Sequence, residues 1–187
     1  MQQLILGGVR SGKSQLAEQA ALASGLAVTY IATSLISISQ SGDGSLADKE
    51  MQQRITKHRQ RRPDDWALLE APYALAGCLQ QQAAVDRCLL VDCLTAWLTN
   101  LLCADDETLL AKEMDALLEV LPELPGEIIF VSNETSMGIV PMGELTRRFC
   151  DEAGLLHQAI ARQCDRVVLS IAGLAQVLKD ESVKVAD

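Results

Sequence analysis

The sequence predicts an α/β fold: one domain spanning residues 1–187, with a mainly parallel sheet flanked by helices. Three observations carry this. Short apolar runs alternate along the chain with longer segments of helical period, the pattern of strands joined by crossover helices. A glycine-rich turn stands between the first apolar run and the first helical segment. The chain has 187 residues, 49% of them apolar, a length that suits one domain able to bury about 70% of its unfolded surface, with no need of a disulfide or structural zinc.

Strands are expected at residues 3–6, 28–32, 66–70, 88–92, 128–132 and 166–171, where short runs rich in Val, Ile and Leu are bounded by turn formers. Helices are expected between them, at residues 13–24, 48–59, 73–84, 94–102, 108–121 and 143–163. Residues 37–45, Ser-Ile-Ser-Gln-Ser-Gly-Asp-Gly-Ser, favour a loop. It reads either as an inert surface insertion or as a flap that closes over ligand.

Composition excludes some function classes. The net charge of −9 argues against a general nucleic-acid binder, which needs a surplus of Lys and Arg over a face. No run approaches the roughly 18 apolar residues of a membrane span, and the N-terminus carries no basic leader followed by an apolar run, so a cytoplasmic protein is expected. The six cysteines contain no C-x-x-C pair, and most lie among apolar neighbours; they read as buried thiols. Two histidines are too few for a His-based metal site.

Residues 7–14, Gly7-Gly8-Val9-Arg10-Ser11-Gly12-Lys13-Ser14, fit G-x-x-x-x-G-K-[ST] between a strand and a helix. Glycines let successive backbone N–H groups turn inward, and the helix dipole adds to the attraction for phosphate. Lys13 is suited to the terminal phosphates and the Ser14 hydroxyl to Mg2+. A phosphate loop of this kind works with an acidic residue at the end of a second strand, and Leu89-Leu90-Val91-Asp92 supplies one. Ser14 and Asp92 are the candidate metal ligands. Together these features predict binding of a nucleotide with Mg2+.

Against the acidic background, residues 49–62 hold Lys49, Arg54, Lys57, Arg59, Arg61 and Arg62, six of the sixteen basic residues. Such a cluster suits a small anionic ligand, or is a solvated helix face. On a helix, Met51, Ile55 and His58 share one stripe, with Arg54 and Arg62 four residues to either side of the histidine. A neutral imidazole so flanked can attack phosphorus, since the cations hold phosphate and lower the imidazole pKa. The other reading is a helix-end histidine with solvated neighbours. His157 lies among Leu155, Leu156, Ala159 and Ile160, where packing is the expected role.

The ordered motifs resemble one family. They are the loop at 7–14, Tyr-Ile-Ala-Thr at 30–33, Glu-Met-Gln-Gln-Arg-Ile-Thr-Lys-His-Arg-Gln-Arg-Arg-Pro at 50–63, the strand at 66–70, Val-Asp-Cys-Leu-Thr-Ala-Trp-Leu-Thr-Asn-Leu-Leu at 91–102, and Ser-Asn-Glu-Thr-Ser-Met-Gly-Ile-Val-Pro at 132–141. These are similar to the bifunctional adenosylcobinamide kinase/adenosylcobinamide-phosphate guanylyltransferases of cobalamin biosynthesis. The resemblance implies a RecA-like P-loop NTPase sheet and a homotrimer. It implies two reactions: phosphorylation of adenosylcobinamide by ATP or GTP, then transfer of GMP from GTP to adenosylcobinamide phosphate through a covalent phosphoramidate on His58. It further implies nucleotide contacts at residues 7–14, at Thr33, Ser34 and Leu35, at Arg59, Gln60, Arg61 and Arg62, and at Glu70 and Asp92. Two departures stand out: the loop over residues 35–49 is longer than the common pattern, and Lys57 stands where some members have a second histidine. A plain P-loop kinase of a small metabolite, with the basic helix as a lid, and a nucleotide-binding regulatory module are the competing readings.

Overall fold

The computed structural model describes residues 1–35 and 63–181. Strand β1 (Gln2–Gly7) leads through the phosphate loop into helix α1 (Lys13–Ala23) and strand β2 (Ala27–Ala32). After the residues not described come β3 (Ala67–Glu70), α2 (Leu75–Gln82), β4 (Arg87–Asp92), α3 (Leu94–Leu102) and α4 (Leu109–Val120). A 3-10 turn (Leu121–Glu123) leads to β5 (Glu127–Asn133), α5 (Glu144–Gln163), β6 (Arg166–Ile171) and β7 (Leu174–Asp180).

The seven strands form one sheet in the order β3-β2-β4-β5-β1-β6-β7. All neighbours are parallel except β6 and β7. One strand, β5, stands between the strand that ends in the phosphate loop and the strand that ends in Asp92. This is the expected α/β, RecA-like arrangement. In a parallel sheet all such strands end at the same edge, so the loops after β1, β2, β4 and β5 are brought together there.

The pleat divides the core. Leu4, Leu6, Ile31, Leu89, Val91, Ile128 and Phe130 face one side and pack with residues of α2 to α5 such as Leu75, Leu79, Trp97, Leu98, Leu117 and Ile160. Ile5, Val28, Tyr30, Cys88, Leu90, Ile129 and Val131 face the other side and pack with Ala17 and Ala21 of α1. Alternate residues of one strand therefore serve two cores, which is why the strands read as continuous apolar runs.

The six expected strands and five of the six expected helices are present, with ends shifted by one or two residues. The expected helix over 48–59 and the loop over 37–45 lie outside the described residues. Two corrections follow. Strand β7 was not foreseen: Leu174-Ala175-Gln176-Val177-Leu178 is largely apolar but lacks the regular alternation of a half-buried strand, and most of its side chains are exposed. The cysteines are not uniformly buried: Cys88 and Cys164 are, Cys78, Cys93 and Cys150 are half-buried, and Cys103 at the end of α3 is exposed. Apolar neighbours in sequence do not fix which side of a helix faces solvent. No helix among the described residues is long and apolar enough to cross a membrane.

Trp97 is fully buried, and its indole N–H donates to the carbonyl of Tyr73 at 2.6 Å, tying α3 to the segment that enters α2. A Trp97→Ala substitution is expected to cost about 3–5 kcal/mol, read as a shift of the urea midpoint. Trp97→Phe keeps most of the packing and is expected to lose about 1–3 kcal/mol from the stranded carbonyl.

Candidate nucleotide and phosphoryl-transfer site

The phosphate loop is shaped by close backbone approach. Gly7 is buried at the end of β1, where a Cβ would lie 2.7 Å from the carbonyl oxygen of Ser170 and against the Ser11 hydroxyl. Gly12 takes a left-handed conformation at φ 98°, and a Cβ there would meet Gly173 at 3.0 Å. Only glycine satisfies both positions without displacement. Gly12 caps α1, so the unpaired N–H groups of the helix start face the loop's interior. Lys13 folds back, and its ammonium donates to the carbonyl of Gly8 at 3.1 Å. Val9 and Arg10 at the loop's crest are exposed.

The loop is braced by the hairpin between β6 and β7. The Ser11 carbonyl accepts from the hydroxyl of Ser170 at 2.8 Å and from the N–H of Gly173 at 2.8 Å. Ser170 is 1% exposed, so its hydroxyl is committed to this role. Ala172 and Gly173 both have positive φ, the geometry of a two-residue hairpin turn.

Across the sheet edge, Asp92 ends β4 and is half-buried, with Oδ2 accepting from the Tyr30 hydroxyl at 2.9 Å. Register aligns Ala32 with both Glu70 and Asp92, so the ends of β3, β2 and β4 lie level. Thr33 is fully buried. Its hydroxyl donates to the Cys93 carbonyl at 2.7 Å and accepts from the Cys93 N–H at 3.0 Å, while its own carbonyl accepts from the Asn100 amide at 2.7 Å. Thr33 thus orders the turn that presents Ser34 and Leu35, rather than offering its own hydroxyl outward. Glu70 is exposed at the same edge.

From Asp92 the network continues toward β5. The Cys93 thiol lies 3.0 Å from the Thr95 hydroxyl, which in turn accepts from the Asn133 amide at 2.9 Å. Burial, with the neighbouring Asp92 charge, pushes the Cys93 thiol up, so it is held as a neutral group. Asn133 pairs with Gly7 in register, and the next residue, Glu134, donates its N–H to the Gly7 carbonyl at 3.0 Å. Behind this strand end, His157 of α5 places Nε2 2.7 Å from the fully buried Ser132 hydroxyl and Nδ1 3.9 Å from Glu134 Oε2.

The structure therefore brings the loop at 7–14, Thr33 to Leu35, Glu70 and Asp92 to one edge of the sheet. His58, Arg59, Gln60, Arg61 and Arg62 lie outside the described residues. Among the described residues no cluster of three or more His, Cys, Asp and Glu could hold a metal by protein groups alone. One hydroxyl at Ser14 and one carboxylate at Asp92 fit the way Mg2+ is held when phosphate oxygens and waters complete its shell.

The family model described as cobinamide kinase / cobinamide phosphate guanyltransferase matches residues 3–178. The chain belongs to that family. It is 60% identical over 181 residues, 97% of this chain and 99% of the relative, to the bifunctional adenosylcobalamin biosynthesis protein CobP of Pseudomonas aeruginosa. It is 34% identical over 189 aligned positions, 94% of this chain and 98% of the relative, to the bifunctional adenosylcobalamin biosynthesis protein CobU of Salmonella typhimurium. A solved structure of a Pyrococcus horikoshii OT3 protein shares the fold, with a TM-score of 0.52 at 8% identity over 98% of this chain and 87% of the other.

Within this cobinamide kinase/guanyltransferase member, sequence reasoning missed Ser170 and Gly173 as supports of the phosphate loop. A signal was present: Ala172-Gly173 between two apolar stretches is a hairpin turn pair. It also assigned His157 to packing alone, whereas the ring is both buried and hydrogen-bonded at the sheet edge.

Two measurements test this geometry. Ser170→Ala leaves the Ser11 carbonyl with one donor, and a loss near 1 kcal/mol corresponds to nucleotide binding weakened about fivefold, with the fold retained. His157 has its pKa lowered from 6.5, chiefly by burial and against the raising effect of Glu134. Below about pH 6.5 the unfolded chain takes up this proton while the folded chain resists it, so this stabilising contribution is present above that pH and lost as pH falls toward the folded pKa. Urea midpoints of the native chain should drop more steeply from about pH 7 to 5.5 than those of His157→Asn.

Proposed function

We propose that this edge phosphorylates adenosylcobinamide with ATP or GTP and then transfers GMP from GTP to the resulting phosphate through a GMP adduct on His58, giving adenosylcobinamide-GDP. The observation that carries the reading is the pairing of a pre-shaped phosphate loop at 7–14 with Asp92 at a neighbouring strand end, in a chain that matches the cobinamide kinase / cobinamide phosphate guanyltransferase family over residues 3–178.

Phosphoryl chemistry is mostly positioning and charge neutralisation. The N–H groups of residues 8–13 and the Lys13 ammonium receive the triphosphate, and Ser14 and Asp92 would hold Mg2+, which neutralises charge on the phosphate oxygens. Tyr30 fixes one oxygen of Asp92 and so orients that carboxylate. Arg59, Gln60, Arg61 and Arg62 contact the nucleotide, and the arginines counter charge at the α-phosphate when the imidazole attacks. Ser34, Leu35 and Glu70, at the same sheet edge, contribute further nucleotide contacts.

The two histidines support the division of labour. His157 is 7% exposed with Nε2 engaged by a fully buried serine. It cannot present that nitrogen to phosphorus, which supports the assignment of the covalent step to His58 that the family resemblance implies. The protein acts in the cytoplasm as a homotrimer; exposed Ile171, Leu174, Val177 and Leu178 at the β6–β7 edge support association between copies.

Incubation with α-labelled GTP and Mg2+ is expected to leave acid-labile label on the native protein and none on His58→Ala, which still phosphorylates adenosylcobinamide. Lys13→Ala is expected to lower both reactions by about 10²-fold or more. Label retained on His58→Ala would refute the assignment.

A further inference from the structure

The cluster at the end of β5 has a chemistry that the guanylyl step does not use. Ser132, His157 and Glu134 lie in line, with Nε2 2.7 Å from the serine hydroxyl and Nδ1 3.9 Å from Glu134 Oε2, beyond direct hydrogen-bond distance. Ser132 is 0% exposed, so it cannot act as a nucleophile. The least buried member of the cluster is Glu134, its side chain 13% exposed against 9% for His157. Its backbone N–H is bonded to Gly7, the residue from which the phosphate loop springs. Ser136 holds Oε1 through its N–H at 2.6 Å and through its hydroxyl. The other oxygen, Oε2, is the one that faces His157.

The ring's proton follows from the same contacts. A Ser132 hydroxyl donating to Nε2 leaves the hydrogen of the neutral imidazole on Nδ1, toward the carboxylate. The opposite tautomer would aim a lone pair at a negative charge. Among the described residues Glu134 is the charged group that acts on His157.

We propose that Glu134 is the general base that takes the proton of the acceptor hydroxyl in the phosphorylation step, and that His157 is a positioning residue whose ring edge, with Nδ1 3.9 Å from Oε2, confines this carboxylate without a direct hydrogen bond. The assignment rests on the reading that the phosphate loop presents a triphosphate to an alcohol. In the step, a lone pair of the acceptor oxygen forms the new bond to the γ-phosphorus. The bond from that phosphorus to the β-bridging oxygen breaks, and its electron pair leaves on the nucleoside diphosphate. The hydroxyl proton passes to Glu134, which returns it to solvent after product departs. The two reactions differ in their need for such a group. The first acceptor is a neutral alcohol, whereas the second is a phosphate monoester already ionised near pH 7, with a second pKa near 6.

That difference supplies the test. With adenosylcobinamide and ATP, Glu134→Gln is expected to lower kcat about 10²- to 10⁴-fold with KM for ATP within about threefold. The same preparation, given adenosylcobinamide phosphate and GTP, is expected to guanylylate within about threefold of the native rate, which also shows that it is folded. His157→Asn, whose amide can stand near the Nδ1 position, is expected to keep kinase kcat within about fivefold, while His157→Leu loses at least tenfold in kcat at unchanged KM. Native kinase kcat in Glu134→Gln, or an equal fall in both reactions, would overturn the base assignment alone. Equal kinase rates in His157→Asn and His157→Leu would overturn the positioning role. Absence of phosphorylation by the native protein would overturn this assignment together with the functional reading beneath it.

Discussion

The nucleotide edge depends on holding the phosphate loop open before any phosphate arrives. A loop that turns N–H groups inward gives up backbone hydrogen bonds that a free chain would make to water; the Ser11 N–H recovers one to the Gly8 carbonyl at 3.2 Å, and the rest of the path must be fixed from outside. Here the fixing point is the Ser11 carbonyl, caught between the buried Ser170 hydroxyl and the Gly173 N–H. The contact joins residues more than 150 positions apart, the first loop of the chain and its last hairpin. It also explains two glycines at once, since side chains at Gly7 or Gly12 would fill the space through which the hairpin reaches the loop.

The same device recurs along the edge. Thr33, Ser132 and Ser170 are buried hydroxyls at or just beyond the ends of β2, β5 and β6, and each is spent on a single neighbour: the Cys93 backbone, the His157 ring and the Ser11 carbonyl. A buried hydroxyl left unpaired costs about 1–3 kcal/mol, so each is a strong local constraint on the loop it holds. Between them, the Cys93–Thr95–Asn133 chain links the end of β4 to that of β5. Asp92 and Glu134 are therefore carried on strand ends that are tied to each other and to the phosphate loop, the preorganisation that charge-stabilising catalysis requires.

Much of this was legible in the sequence, and the reason is physical. Parallel strands buried on both faces must be apolar throughout, so β1, β2, β4, β5 and β6 announce themselves, and the glycine pattern at 7–14 follows from the backbone path that phosphate demands. What was not legible depends on contacts made across the sheet. The Ser132 and His157 side chains meet only because α5 packs back over β5, and neither residue type in its own segment signals the pairing. Strand β7 failed to register for another reason: its apolar residues are mostly exposed at the sheet edge and do not alternate regularly with polar ones, so the sequence lacks the two-residue period of a half-buried strand. The cysteine reading failed for the complementary reason: Cys103 sits among leucines in sequence but at the open end of α3 in space.

An enzyme that activates an alcohol and a nucleotide at one phosphate loop must keep its two proton-handling groups from competing. A histidine that attacks phosphorus has to be neutral, mobile and reachable; a histidine that steadies a carboxylate has to be neutral, fixed and shielded. Burial serves the second requirement directly, by disfavouring the imidazolium, and Ser132 occupies Nε2. A ring so held has no orbital free for phosphorus, and a ring free for phosphorus could not hold Glu134. His157 is thereby excluded by its own surroundings from attack on phosphorus, and a nucleophilic histidine sharing this triphosphate site would have to be a second ring held under different conditions.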